Sequence, residues 1–223
     1  MDHVSSSIIL MLNLCTIINH AHIHSYWSSH WLFAILLQLY LIIENRRLSV
    51  PGTIVQFFSY FTILTNIIVA LYFTLVLLKR RTQKDDWLTK PKTQTAILVY
   101  IVIVGIVYNL VLRFLWDPRG LQLVADELLH TVIPLLFLLY WFLFVKRRNL
   151  QWKDAFAWLL YPLIYLVYVL SRGALTSLYP YPFIDVPTLG YNKVILNCGI
   201  LFISFFLLSL LFIAIGRKSK RVY

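Results

Sequence analysis

The chain has 223 residues, 60% of them hydrophobic, and a formal net charge of +11. Its mean hydropathy is +0.77, and its charges are confined to short runs between long apolar stretches, which excludes an ordinary soluble domain. Because a segment in lipid must pair its backbone groups internally, these stretches predict helices. A membrane β-barrel would need alternating polar and apolar positions, which runs such as residues 135–139 lack.

Six apolar stretches approach the ~20 residues that a helix needs to cross a bilayer. In chain order they lie at about Ser25–Ile43, Thr53–Leu78, Thr95–Trp116, Val124–Val145, Asp154–Ser171 and Val194–Ile215. The predicted fold class is therefore all-α, a polytopic membrane helical bundle with about six transmembrane helices over residues 25–216. Residues 217–223 form a basic tail, and residues 1–24 an N-terminal interfacial or half-inserted segment. A seventh span at residues 8–18 is the alternative.

Lysine and arginine concentrate in every second loop, in residues 79–92, 146–153 and 217–221. The positive-inside rule places these segments and both termini in the cytoplasm. Since the basic residues flank spans, the net charge is explained by topology, and we expect no nucleic-acid partner.

No motif for a metal or cofactor is evident. Cys15 and Cys198 form no CxxC, zinc or disulfide pattern. A metal site or a plain interfacial linker could explain the histidine-rich segment near the N-terminus, and we favour the linker because no acidic or cysteine partner lies near. This segment contains His20, His22, His24 and His30. His130 is the only histidine beyond residue 30, and one membrane histidine does not suffice for a bis-histidine haem.

Each predicted span carries polar side chains in the half that the charge pattern places outside. In the second span, Gln56, Ser59, Thr62 and Asn66 recur at helical spacing and share one face. The other spans contribute Gln38, Tyr40, Asn109, Arg113, His130, Thr131, Tyr161, Tyr165, Tyr168, Arg172 and Asn197. Because such groups are costly in lipid, we expect them to line one cavity open toward the outer face. The alternative is a set of interhelical hydrogen bonds, worth ~0.6 kcal/mol each.

Among these residues, His130 and Thr62 are the candidates for a catalytic pair. Pro134 follows His130 by one helical turn and cannot donate to its carbonyl, so the fourth span should bend there. At 1.5 Å per residue, Thr62 and His130 lie roughly 13 and 9 Å inside their spans, so they could meet. A hydroxyl beside an imidazole is the minimum for acyl transfer. Asn66, Asn109, Arg113 and Asn197 are candidate oxyanion donors.

Three segments resemble a bacterial family of six-span integral membrane proteins. They are residues 57–66 (FFSYFTILTN), 128–134 (LLHTVIP) and 179–185 (YPYPFID), and the resemblance extends over about residues 31–215. That family is distantly similar to the androgen-induced and androgen-dependent threonine hydrolases of animals, which cleave fatty acid esters of hydroxy fatty acids. The chain departs from the hydrolases in having one residue fewer between His130 and Pro134. The resemblance implies Thr62 as nucleophile and His130 as base, without a cofactor, in a bacterial inner (plasma) membrane.

Two functions remain open from the sequence. The preferred hypothesis is an intramembrane hydrolase of lipid esters, with membrane lipids as partners and substrate and with Tyr168 and Arg172 as further binding candidates. The alternative is a transporter or lipid-binding protein that uses the same cavity without covalent chemistry. Thr65 is a rival nucleophile, although it lies off the helix face of Thr62.

Overall fold

The computed structural model describes residues 31–79, 87–147 and 149–218. The predicted N-terminal segment 1–24, the histidine-rich linker and the end of the basic tail lie outside the described residues. In the described part every regular element is a helix. The α-helices are α1 (Trp31–Glu44), α2 (Val50–Phe57), α3 (Phe61–Lys79), α4 (Pro91–Leu110), α5 (Leu121–Glu127), α6 (Ile133–Phe144), α7 (Asp154–Trp158), α8 (Leu160–Thr176), α9 (Val186–Leu189) and α10 (Tyr191–Lys218).

Within the described residues, five stretches are long and apolar enough to cross a membrane. They are Phe61–Leu78, Pro91–Phe114, Leu121–Phe144, Asp154–Thr176 and Tyr191–Lys218. The described part of α1 is apolar but shorter. The chain is therefore a multi-pass integral membrane protein with an all-α fold, as the sequence predicts. Large apolar side chains such as Leu163, Ile164 and Val167 cover its outside, where lipid replaces water.

Helix α4 forms the centre of the bundle. It packs against α3, α6 and α10, and its residues Leu98, Val99 and Ile101 are completely buried. Pro91 occupies the first turn of α4, where its missing N–H costs nothing. At the same end of α4, Lys92 pairs with Asp154 at 2.8 Å and so ties α4 to α7. This frame fixes the positions of α3 and α6, which carry the residues of interest.

The predicted second span is wrong as a single helix. The chain forms two helices, α2 and α3, separated at residues 58–60 by a tight turn in which Ser59 and Tyr60 donate to Gln56 and Phe57. The turn frees the carbonyl of Ser59, which accepts a hydrogen bond of 2.8 Å from the hydroxyl of Tyr165 on α8. The break therefore places Thr62 in the first turn of α3.

The fourth span is irregular where Pro134 predicts a bend. Residues Leu128–Val132 form a π-helical turn between α5 and α6. Pro134 has no N–H to donate to the carbonyl of His130. That carbonyl instead accepts a hydrogen bond from the side-chain amide of Asn109 at 3.3 Å. Gly105 on α4 lies against this turn, so the two helices approach closely.

Candidate functional site

A cavity of about 580 Å³ lies among α1, α2, α3, α4 and α5, and we call it the polar cavity. Both Thr62 and His130 line it. Its wall also includes the carboxyl group of Asp126, the side chains of Gln38 and Gln122, and, from the segment after α1, Arg46 and Arg47. The structure thus brings the predicted pair into one cavity of the size that holds small organic ligands.

His130 is held in one orientation. Its Nδ1 lies 2.9 Å from the backbone carbonyl of Asp126, one turn earlier, and its ring stacks on that of Tyr108 with centroids 4.0 Å apart. A carbonyl oxygen can only accept, so Nδ1 must carry the proton in this contact. In the neutral imidazole, Nε2 is then the nitrogen with the free lone pair.

Asp126 is a buried carboxyl group that the sequence analysis missed. Its two oxygens accept hydrogen bonds from the hydroxyl of Tyr108 at 3.2 Å and from the amide of Gln122 at 3.3 Å. Gln122 also donates to Gln38 on α1 at 2.9 Å. The sequence could have indicated Asp126, because it lies one helical turn before the membrane histidine and ionisable groups within spans usually have a functional role.

Thr62 contacts the segment that follows α8. The hydroxyl of Tyr181 accepts from the backbone N–H of Thr62 at 3.2 Å and lies 3.4 Å from Thr62 Oγ1. Burial raises the pKa of the Tyr181 phenol to about 12, so the group is a neutral hydroxyl at physiological pH. Asn197 on α10 donates to the carbonyl of Phe183 at 2.8 Å and anchors the turn that carries Tyr181.

Asn66 connects the backbone at Thr62 with the backbone beside His130. Its Nδ2 donates to the carbonyl of Thr62 at 2.8 Å and to that of Leu129 at 3.3 Å. The residue is completely buried, and its Oδ1 has no hydrogen-bond partner among the described residues. Asn66 therefore fixes the spacing between the first turn of α3 and the π-helical turn.

Asn109 and Arg113 lie behind His130. Arg113 donates to Asn109 at 3.0 Å and to Thr131 at 3.2 Å, and it pairs with Glu127 at 2.6 Å. Together with the bond from Asn109 to the carbonyl of His130, this network supports the π-helical turn from the side of α4.

The tyrosines of α8 point to α3 and the preceding turn. Tyr168 lies 3.2 Å from the hydroxyl of Ser59, and Tyr161 lies 3.2 Å from that of Thr65. Thr65 is completely buried in this contact, away from the cavity lining. Arg172 donates to the carbonyl of Leu178 at 3.0 Å, while its Nε is buried and has no partner in the part of the chain that the structure describes. These residues join α8 to the bundle.

A second cavity, of about 80 Å³, is also lined by Thr62, and we call it the apolar cavity. Side chains from α3, α4, α8 and α10 line it, among them Phe61, Val104, Val169 and Phe205. Thr62, Tyr181 and Leu112 line both cavities. Thr62 therefore lies at the boundary between a polar and an apolar compartment.

In the described part of the chain, no group of three or more histidine, cysteine or acidic side chains could hold a metal ion. In comparisons with known proteins, no protein-family model, curated protein or solved structure matches the chain. The arguments on function that follow therefore start from the geometry of the site.

Proposed function

We propose that this integral membrane protein is an intramembrane hydrolase of lipid (fatty acid) esters, with Thr62 as the nucleophile and His130 as its base. The observation that carries the proposal is that both side chains line the polar cavity while Thr62 also faces the apolar one. A lipid ester has the same division, with an apolar acyl chain on one side of its carbonyl and a polar part on the other.

The hydroxyl of Thr62 differs from those of Thr74 and Thr95. Thr74 and Thr95 donate to carbonyls one turn earlier, at 2.8 and 2.7 Å. Thr62 lies in the first turn of α3, and its hydroxyl contacts Tyr181 instead. If Tyr181 donates its proton in this contact, the proton of Thr62 is free to pass to a base. A threonine hydroxyl needs such a base to act as a nucleophile.

His130 supplies the complementary acceptor. Since Nδ1 donates to the carbonyl of Asp126, Nε2 is the basic nitrogen of the neutral ring. No hydrogen bond joins Thr62 to His130 within the described residues, so a bridging water or closure around the substrate must bring them into reach. Catalytic hydrogen bonds often tighten only when the substrate is bound.

The proposed reaction has two steps. Thr62 Oγ1 attacks the ester carbonyl, its proton passes to Nε2 of His130, and the alcohol leaves with that proton. Water then attacks the acyl-threonine ester with help from His130, releasing the fatty acid and restoring Thr62. Each step passes through a tetrahedral oxyanion, which the N-terminal end of α3 would stabilise because the positive end of a helix dipole lies there.

The remaining candidate residues have positioning roles in this proposal. Asn66 sets the distance between the two helices, Asn109 and Arg113 support the turn of His130, and Asn197 anchors Tyr181. The resemblance of residues 57–66 and 128–134 to the threonine hydrolases supports the same assignment and suggests fatty acid esters of hydroxy fatty acids as test substrates. Membrane lipids are the expected environment and partners.

The test compares purified wild type with Thr62→Ala, Thr65→Ala and His130→Ala. We measure hydrolysis of a fatty acid ester of a hydroxy fatty acid and labelling by a fluorophosphonate probe, and we check folding by thermal melting in detergent. Thr62→Ala should abolish both signals, and His130→Ala should reduce turnover roughly 10²-fold or more. Thr65→Ala should remain active because Thr65 contacts Tyr161 rather than the cavity. Equal turnover by wild type and folded Thr62→Ala would eliminate the mechanism.

One observation favours a second function, a transporter or lipid-binding protein without covalent chemistry. Thr62 makes its contacts with Tyr181 rather than with His130, which is also the arrangement of a structural hydroxyl. Such a protein would bind lipid esters and leave them intact. Binding without turnover in wild type and in Thr62→Ala alike would support this alternative.

A further inference from the structure

The apolar cavity has room for only part of a lipid chain. Its volume of about 80 Å³ is roughly half that of an engineered apolar cavity of ~150 Å³ that binds benzene. A few methylene groups fit such a space, whereas a complete fatty acyl chain does not. A chain that begins at Thr62 must therefore leave the cavity after its first few carbons.

The lining residues indicate where such a chain would leave. Val104 on α4 and Ile184 in the 182–184 turn close part of the wall, being only 4% and 2% exposed, whereas Val107, Leu112 and Phe183 are partly buried. Leu166 on α8 and Leu201 and Phe202 on α10 also line the cavity, but they are only partly buried. The three on α8 and α10 lie beside exposed apolar side chains of the same helices, such as Leu163, Val167 and Ile203. Because both helices lie among side chains that face lipid, an opening between them leads into the hydrocarbon layer.

The polar groups of the cavity lie at one end. Of the lining side chains, Thr62 and Tyr181 are at the boundary with the polar cavity, and the hydroxyl of Tyr165 already donates to the carbonyl of Ser59. The rest of the lining offers aliphatic and aromatic carbon, together with the thiol of Cys198. A polar ligand group in this part of the cavity would be buried without a hydrogen-bond partner, so a hydrocarbon segment is the ligand that fits.

We propose that the apolar cavity binds the first carbons of a fatty acyl chain and that the rest of the chain leaves between α8 and α10 into the lipid. The assignment of the chain's carbonyl end to Thr62 rests on the proposed function, whereas the binding of the chain does not require hydrolysis. The geometry makes the site selective for an unbranched chain next to the carbonyl and tolerant of total chain length.

Photoaffinity labelling tests the site independently of catalysis. The probe is a long saturated fatty acid with a diazirine on a carbon near the carboxyl group, and the protein is the full chain with Thr62→Ala in micelles. Mass spectrometry should locate the label on the cavity-facing residues of α8 and α10. Cys198→Phe fills the cavity and should lower this labelling about tenfold or more. Its matched control is Ile200→Phe on the outward face of α10, 55% exposed, which should label like the parent.

A competition experiment needs no cavity variant and covers the case in which Cys198→Phe does not fold. An unbranched acid should displace the probe, and the same acid with two methyl groups beside the carboxyl should compete about tenfold less well. Equal labelling of folded Cys198→Phe and Ile200→Phe, or equal competition by both acids, would overturn the chain site. If this labelling pattern is found but wild type shows no turnover, the chain site stands and the proposed hydrolase falls. If turnover depends on Thr62 but the label lies outside the apolar cavity, the proposed hydrolase stands and the chain site falls.

Discussion

The hydroxyl of Tyr181 lies 3.2 Å from the backbone nitrogen of Thr62 and 3.4 Å from its Oγ1. A residue in the segment between α8 and α9 thus contacts the first turn of α3 at two atoms of one threonine. Stacking of the Tyr181 ring on Phe183, with centroids 5.1 Å apart, holds the phenol in place. This contact makes Tyr181 a positioning residue for Thr62 in the proposed reaction.

Tyr181→Phe should retain the fold and lose activity. The ring packing remains, and loss of the hydroxyl should lower the free energy of unfolding by about 1 kcal/mol, the usual net value of a buried hydrogen bond. Ester hydrolysis should fall more than this loss of stability explains, because Thr62 is no longer oriented. The matched control is Tyr161→Phe, which removes the tyrosine hydroxyl that contacts Thr65. It should lower stability but leave turnover unchanged. Equal turnover by the two variants would contradict the role of Tyr181.

Asn66→Asp should destabilise the protein strongly. The substitution keeps the shape of the side chain but replaces an amide that donates to the carbonyls of Thr62 and Leu129 with an acceptor. An uncompensated buried carboxyl costs several kcal/mol, and we expect a large fall in melting temperature together with loss of hydrolysis. Asn192→Asp provides the control. It is exposed at the start of α10, where a negative charge is favourable, and it should melt at or above the wild-type temperature.

The apolar stretches allowed the membrane fold to be predicted, because the length and composition of a span depend on the bilayer alone. Pro134 likewise predicts the irregular turn at His130 by local chemistry. The break between α2 and α3 could not be predicted, since residues 58–60 contain neither glycine nor proline and the freed carbonyl of Ser59 is served by Tyr165 from a distant helix. The role of Tyr181 also depends on long-range packing, whereas the position of Asp126 before His130 was visible in the sequence.

Cysteine labelling in intact cells tests the predicted topology. The charge pattern places the loop between α4 and α5 outside and the end of α10 inside. Arg119→Cys, in a loop where this side chain is 86% exposed, should react with a membrane-impermeant maleimide in whole cells. Lys218→Cys should react only after the cells are opened. The background variant is Cys15→Ser/Cys198→Ser. The opposite pattern would invert the orientation and place the polar cavity toward the cytoplasm.

Gly105→Ala should separate α4 from the turn that carries His130. A β-carbon at Gly105 would lie 3.1 Å from Cβ of Pro134 and 3.2 Å from the carbonyl oxygen of His130, and neither a proline ring nor a backbone oxygen can easily move. Overpacking of this kind costs about 1–3 kcal/mol, so the melting temperature should fall. Displacement of the π-helical turn should also move His130 away from Thr62 and lower ester hydrolysis.

Gly199→Ala is the matched control, because a β-carbon there meets nothing within 4 Å. It should be as stable as wild type or slightly more so, since alanine favours the helix over glycine. Turnover should be unchanged. If Gly105→Ala melts and turns over like Gly199→Ala, close contact between α4 and the π-helical turn does not set the position of His130. If Gly105→Ala is less stable but fully active, the contact supports the fold alone, and His130 does not need the position that the turn gives it.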